Sequence, residues 1–201
     1  YDRTHMWVSA FTYDLPFGDG RKFASGNPVA NFIFGGWKTN GVFSAYSGAP
    51  FTVTASGISL NAPGSTQTAD QVGELRKTGD VGPGTFYYDP SAFRDPNIGR
   101  TAGTFRFGTM GRNAVRGPGF WRLDASMFKN FKISERLNME FKTEAYNLTN
   151  TARFNNPQAN VSQQVTNQAT GVVSNINNFM AITSADRNQD RQFRFGLRLS
   201  F

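Results

Sequence analysis

Glu140, Lys142 and Glu144 stand at alternate positions, a spacing that puts two carboxylates and an amine on one face of an extended strand. Paired carboxylates on one face can do acid–base work. Here a lysine sits between them, which points instead to a network of ion pairs. Arg122 with Asp124, and Arg194 with Arg198, carry further charge at even spacing. A second cluster is denser: Arg94, Arg100, Arg106, Arg112, Arg116 and Arg122 lie in a Gly-rich stretch whose one acid is Asp95. The planar guanidinium fork suits phosphate or carboxylate. The first five are therefore candidates for contact with an anionic ligand, with anionic lipid head groups at the outer surface, or for pairing inside the mouth of the barrel. The missing chemistry narrows the field. His5 is the sole histidine and there is no cysteine, which leaves no Ser/His triad away from position 5, no thiolate metal site and no disulfide scaffold. Phosphate loops and metal-ligand spacings are absent, and Gly18, Gly20 and Gly26 in PFGDGRKFASGNP need only turn chemistry. No catalytic residue, metal or cofactor is expected, and the chain is not expected to be an enzyme.

The elements that must carry these charges are strands. The composition holds 20 Phe, 6 Tyr, 3 Trp and 21 Gly in 201 residues, which favours strands and turns over helices. No stretch approaches the ~20 apolar residues of a membrane helix; VANFIF (29–34) is far shorter. A hydropathy scan therefore suggests a soluble protein, but alternate residues alone face lipid in a barrel strand. At the end of the chain, Phe193, Phe195, Leu197, Leu199 and Phe201 alternate with Arg194, Gly196, Arg198 and Ser200, giving one apolar and one polar face. Residues 137–148 and 121–133 show the same alternation, and 134–136 between them make a hairpin. Pairing Ile133 with Leu137 keeps the faces in phase and sets Ser126 opposite Glu144 and Phe128 opposite Lys142. Lys129 interrupts the apolar face near that turn, where a lysine can snorkel at ~0–1 kcal/mol. Residues 5–15 and 37–47 complete the set of strands, which are long enough, at ~3.3 Å per residue and a ~45° tilt, to span a ~25 Å apolar band.

Connection lengths alternate. Residues 48–120 and 150–190 are long; 16–36 is moderate and 134–136 short. Outer-membrane barrels have short periplasmic turns and long extracellular loops. If Phe201 ends in the periplasm, one orientation accounts for all four connections. The expected fold is thus all-β, an antiparallel up-and-down transmembrane β-barrel in the outer membrane of a Gram-negative-type bacterium, here an incomplete segment of about five strands. Five strands cannot close a barrel, since the smallest bacterial ones have about eight, so further strands are expected upstream. In that frame Arg122, Asp124, Glu140, Lys142, Glu144, Arg194 and Arg198 face the lumen. The apolar residues of the last strand, Phe193, Phe195, Leu197, Leu199 and Phe201, form an assembly signal, because an unpaired strand can add to the seam of the assembly machinery by β-augmentation. Trp7, Tyr13, Trp37, Tyr46, Trp121 and Tyr146 are candidates for interfacial girdles, although the phase of Tyr146 is lumenal. The net charge of +7 is scattered singly, so outer-membrane lipid is an expected partner and nucleic acid is not.

Several stretches resemble one family: YDLPFG (13–18), FGGW (34–37), SGAPFTV (47–53), GRNAVRGPGFWRLDASMFKNFKISERL (111–137), EAYNLTN (144–150) and ITSADRNQDRQFRFGLRLSF (182–201). Their order is that of the C-terminal barrel part of Oar-like TonB-dependent receptors. Residues 55–90 and 155–180 resemble nothing identifiable. The resemblance implies a barrel of about 22 strands around a plug, with active uptake of a ligand that the chain does not specify, driven by the TonB complex through N-terminal regions outside this chain. Two other readings stand beside it: a passive porin or structural barrel, and a soluble β-rich module for glycan or nucleic acid. The last of these requires Phe195 and Leu199 to sit in a protein core.

Overall fold

The computed structural model describes residues 2–201 apart from positions 19, 24, 25, 27, 102, 168 and 188. The chain divides into two compact units. One, a sheet unit, comprises His5–Tyr46, Phe120–Ala152 and Arg187–Phe201; the other, a loop unit, comprises Tyr1–Thr4, Ser47–Gly119 and Arg153–Asp186.

The sheet unit holds five long strands: β1 (Met6–Asp14), β2 (Trp37–Tyr46), β3 (Phe120–Lys132), β4 (Asn138–Tyr146) and β5 (Gln192–Ser200). They pair antiparallel in sequence order, β1-β2-β3-β4-β5, with β1 and β5 at the edges of an open sheet. Each begins and ends within a residue or two of the expected range. The hairpin register is the one the phase argument requires, with Ser126 opposite Glu144 and Phe128 opposite Lys142. The Ile133 N–H donates to the Leu137 carbonyl at 3.0 Å to close the turn. Because side chains alternate with period two, this register aligns one face across all five strands. Its rows run Phe11–Gly41–Ala125–Ala145–Phe193, then Tyr13–Thr39–Met127–Thr143–Phe195, then Trp37–Lys129–Phe141–Leu197. Both shorter connections, β1–β2 and β3–β4, leave the same end of the sheet, and both long ones leave the other.

Two expectations need correction here. Tyr46 pairs with Met6 and Phe120, one step out of phase with Trp121, so it stands on the polar face with Tyr146 and joins no outer girdle. Lys129 does not snorkel toward water. It is 4% exposed, because the β1–β2 connection contains a short helix, α1 (Pro28–Phe34), whose Phe32 carbonyl accepts the Lys129 ammonium.

The loop unit gives residues 55–90 and 155–180 a structure that no periodicity announced. Val53, Val115, Val161, Phe179 and Met180 are fully buried, and the Phe93 and Phe179 rings meet edge to face with centroids 5.7 Å apart. Short strand pairs tie the segments: Pro50–Phe51 with Val115–Arg116, Thr54–Ser56 with Thr66–Thr68, and Asp70–Gln71 with Phe93–Arg94. Polar atoms bridge residues distant in sequence. Ser162 Oγ donates to Asp95 Oδ2 at 2.5 Å and accepts from the Ser56 N–H at 2.8 Å. Gly108 passes so close to this framework that a Cβ there would stand 1.9 Å from the Thr68 carbonyl oxygen and 2.6 Å from that of Ala69. Backbone cannot yield as a flexible side chain does. Gly108→Ala is therefore expected to cost about 1–3 kcal/mol, as overpacking does. Limited proteolysis of the folded full-length protein checks this: cleavage within residues 47–119 should accelerate while the strands stay protected.

Candidate functional site

The apolar face of the sheet is open across its strands. On β5, Phe195 is 72% exposed and Leu199 55%, and Phe193 and Leu197 share their face. The soluble-module reading requires these side chains in a core, and they stand on an open face instead. Phe201, also exposed, lies just past the strand. Near the ends of the strands, Trp7 and Trp121 flank Ala45 in one row, and Trp37 lies toward the short-connection end. An apolar band with aromatic residues toward its ends is the surface a bilayer selects.

The other face carries the charge. Arg122, Asp124, Glu140, Lys142, Glu144, Arg194 and Arg198 all share it by register. Lys142 Nζ pairs with Glu144 Oε1 at 2.8 Å, and Glu140 stands directly opposite Arg198. Arg122 Nε donates to Asp124 Oδ1 at 2.7 Å, and that oxygen also accepts the Asn147 N–H at 2.7 Å. The Arg194 guanidinium lies 4.9 Å from the centre of the Tyr146 ring. Arg122, Arg194, Tyr146 and Asn147 line a small polar cavity of about 120 Å³ with Gln189, Asp190 and Gln192. Asp124 and Glu144 are held by neighbouring cations, so the arrangement is one of ion pairs and not an acid–base pair. Among the described residues, no three of His, Asp or Glu gather as metal ligands.

Asn147 is a hub that the sequence did not single out. Its amide donates to the Gln189 carbonyl at 2.5 Å and to the Thr151 carbonyl at 3.1 Å, and its Oδ1 accepts the Thr151 N–H at 3.0 Å. These bonds tie the exit of β4 to the entry of β5. Asn147 adopts φ 48°, a conformation asparagine tolerates better than most residues; the EAYNLTN stretch was the available signal.

The candidate arginines of the long connection divide. Arg106 forks onto Asp70 at 2.7 and 2.8 Å, and Arg116 binds Asp2 at 2.5 Å. Both spend their charge within the loop unit: the Asp70 carboxylate fills the Arg106 fork, and the Arg116 fork takes the Asp2 carboxylate and backbone carbonyl. Arg100 and Arg112 are exposed. Arg94 borders a cleft of about 370 Å³ whose other walls include Val72, Phe93, Ile98 and Val173.

A family model described as "Outer membrane beta barrel domain" matches residues 1–194. No curated protein matches the chain, nor does any solved structure. The open antiparallel sheet, its continuous apolar face and this match together place the chain in the outer membrane. It belongs to the outer membrane β-barrel domain family, as a segment of a transmembrane barrel whose sheet is not closed by these strands alone.

Proposed function

We propose that the chain is the C-terminal barrel portion of a TonB-dependent outer-membrane transporter of the Oar-like kind. Its sheet forms part of the pore wall, with Arg122, Asp124, Glu140, Lys142, Glu144, Arg194 and Arg198 toward the lumen, and its two long connections are extracellular. The observation that carries this reading is the loop unit: the connections fold on a core of their own and hold a formed cleft. A receptor that must recognise a ligand before admitting it needs a preformed surface. The resemblance of residues 13–18, 34–37, 47–53, 111–150 and 182–201 to that family supports it further. The TonB complex would act through N-terminal regions outside this chain, and the machinery that assembles barrels would engage β5 by strand addition. The barrel itself performs no catalysis and takes no cofactor.

The polar face fits a passive porin as well. Conductance of the full-length protein in planar bilayers separates the two. A plugged transporter stays closed to ions until its plug is unfolded with urea. Steady conductance in untreated protein would overturn the transporter reading in favour of the porin.

A further inference from the structure

Helix α1 lies in the moderate connection between β1 and β2. Its sequence, PVANFIF, has no charged residue, and the side chains of Val29, Phe32, Ile33 and Phe34 are 49–68% exposed. The helix is fastened to the apolar face of the sheet. The Phe32 ring lies 5.3 Å from that of Phe131. The Lys129 ammonium donates to the Phe32 carbonyl and sits 4.6 Å from the Phe131 ring centre and 5.9 Å from those of Phe32 and Trp37. Lys129 occupies the same row as Trp37, Phe141 and Leu197, so α1 is anchored on the face that meets lipid.

The end of the helix gives an independent indication. Carbonyls in the last turn of a helix lack intrahelical partners and ordinarily take water. Here the Asn31 carbonyl keeps the ordinary helical bond from the Gly35 N–H at 2.8 Å, and beyond it the Ile33 carbonyl accepts Trp37 Nε1–H at 3.0 Å and the Phe32 carbonyl accepts Lys129. Two carbonyls that water would otherwise serve are bound by side-chain donors, which is what a helix end facing hydrocarbon requires. In water, the four exposed apolar side chains would be a liability with no compensation.

We propose that α1 is an interfacial anchor. It lies in the membrane surface at the short-connection end of the sheet, with Val29, Phe32, Ile33 and Phe34 against the glycerol and upper acyl region of phospholipid, and Lys129 is the post that fixes it to the barrel wall. Phospholipid is the occupant because the exposed face of α1 continues the lipid-facing surface of β2 and β3. The arrangement also resolves the lysine in an apolar row: a carbonyl and three rings replace the water that its ammonium would lose. This holds for a transporter and a porin alike.

Depth measurement tests it. A nitroxide is placed on Val29→Cys or Ile33→Cys, as the only reactive thiol of the full-length protein, in vesicles of phosphatidylethanolamine and phosphatidylglycerol. Collision rates with oxygen, which partitions into lipid, and with a nickel chelate, which stays in water, are compared with those of Leu197→Cys on the lipid-facing row and Ser134→Cys in the hairpin turn. Oxygen dominance at 29 and 33, as at 197, is the expected result. Nickel dominance, as at 134, overturns the proposal. So does a label reached by neither, which would mean that protein covers the helix. Lys129→Met, with its heat-modifiable barrel band retained, should increase label motion at both sites; unchanged motion would show that Lys129 does not hold α1.

Discussion

Phe195→Arg is expected to lower the stability of the folded barrel by about 2–4 kcal/mol, the cost of an arginine facing lipid near the bilayer midplane. Phe195 lies near the centre of β5, on the row of Tyr13, Thr39, Met127 and Thr143. Its ring stacks against Phe141 at 6.5 Å. The neighbouring positions show that the penalty belongs to the face and not to the strand, since β5 already carries Arg194 and Arg198 on its other side. Gly196→Arg supplies the matched control. A Cβ there meets nothing within 4 Å; the new charge lies opposite the like-charged Lys142 across the ladder, a repulsion that on a polar face should cost no more than ~1 kcal/mol. Urea titration of the full-length protein in vesicles, followed by tryptophan fluorescence, measures both. Equal losses would contradict the outward assignment of the apolar face.

The same alternation explains what the sequence could reveal. A strand in a sheet with one lipid-facing side is forced to repeat every two residues, and a three-residue turn fixes its neighbour. Residues 120–148 could therefore be read down to the pairing of Ser126 with Glu144 and Phe128 with Lys142. Legibility fails where period two stops. VANFIF is a short apolar run that fits a buried strand or a helix equally, and what makes it helical is its seat on Phe131 and Lys129, set by pairing between β2 and β3. Lys129 could be flagged as a break in the face, but its partner lies 97 positions away. The loop unit is harder still. Its order comes from contacts such as Ser56 with Ser162 and Tyr88 with Arg116, which no local pattern encodes. The loop arginines were conspicuous by type alone. Arg106 and Arg94 look alike in sequence, yet one is locked to a carboxylate and the other borders a cleft.

That locked pair carries the second large effect. Asp70→Asn is expected to weaken the loop unit by about 2–3 kcal/mol, since hydrogen bonds to a charged group are each worth about 1.5–3 kcal/mol. Asp70 is 6% exposed. It accepts both arms of Arg106 and, through Oδ1, the Thr109 N–H at 3.0 Å. The Arg106 side chain is 41% exposed, which keeps the loss below the about 3–5 kcal/mol of breaking a fully buried pair. The effect also has a pH signature. Burial pushes the Asp70 carboxyl up, but the Arg106 guanidinium and the Thr109 N–H outweigh it and hold the group below its ordinary value of 3.8. A carboxylate with a depressed folded pKa contributes stability that is complete above its unfolded pKa and is lost as pH falls through the folded one. Wild-type protein should thus loosen in the loop unit as pH drops below 3.8, while Asp70→Asn, already weakened, should lose less over the same range. Asp89, lowered by the Ser91 hydroxyl and N–H, contributes the same sign in both proteins, so the difference between them isolates Asp70. Hydrogen exchange of the Met110 and Ala69 amides, which bond to the Ala69 and Val53 carbonyls at 3.0 Å, reports the opening once corrected for the intrinsic pH dependence. Identical pH profiles in the two proteins would mean that the Asp70 carboxylate is not what holds the residues around 106–110 against the strand at Asp70–Gln71.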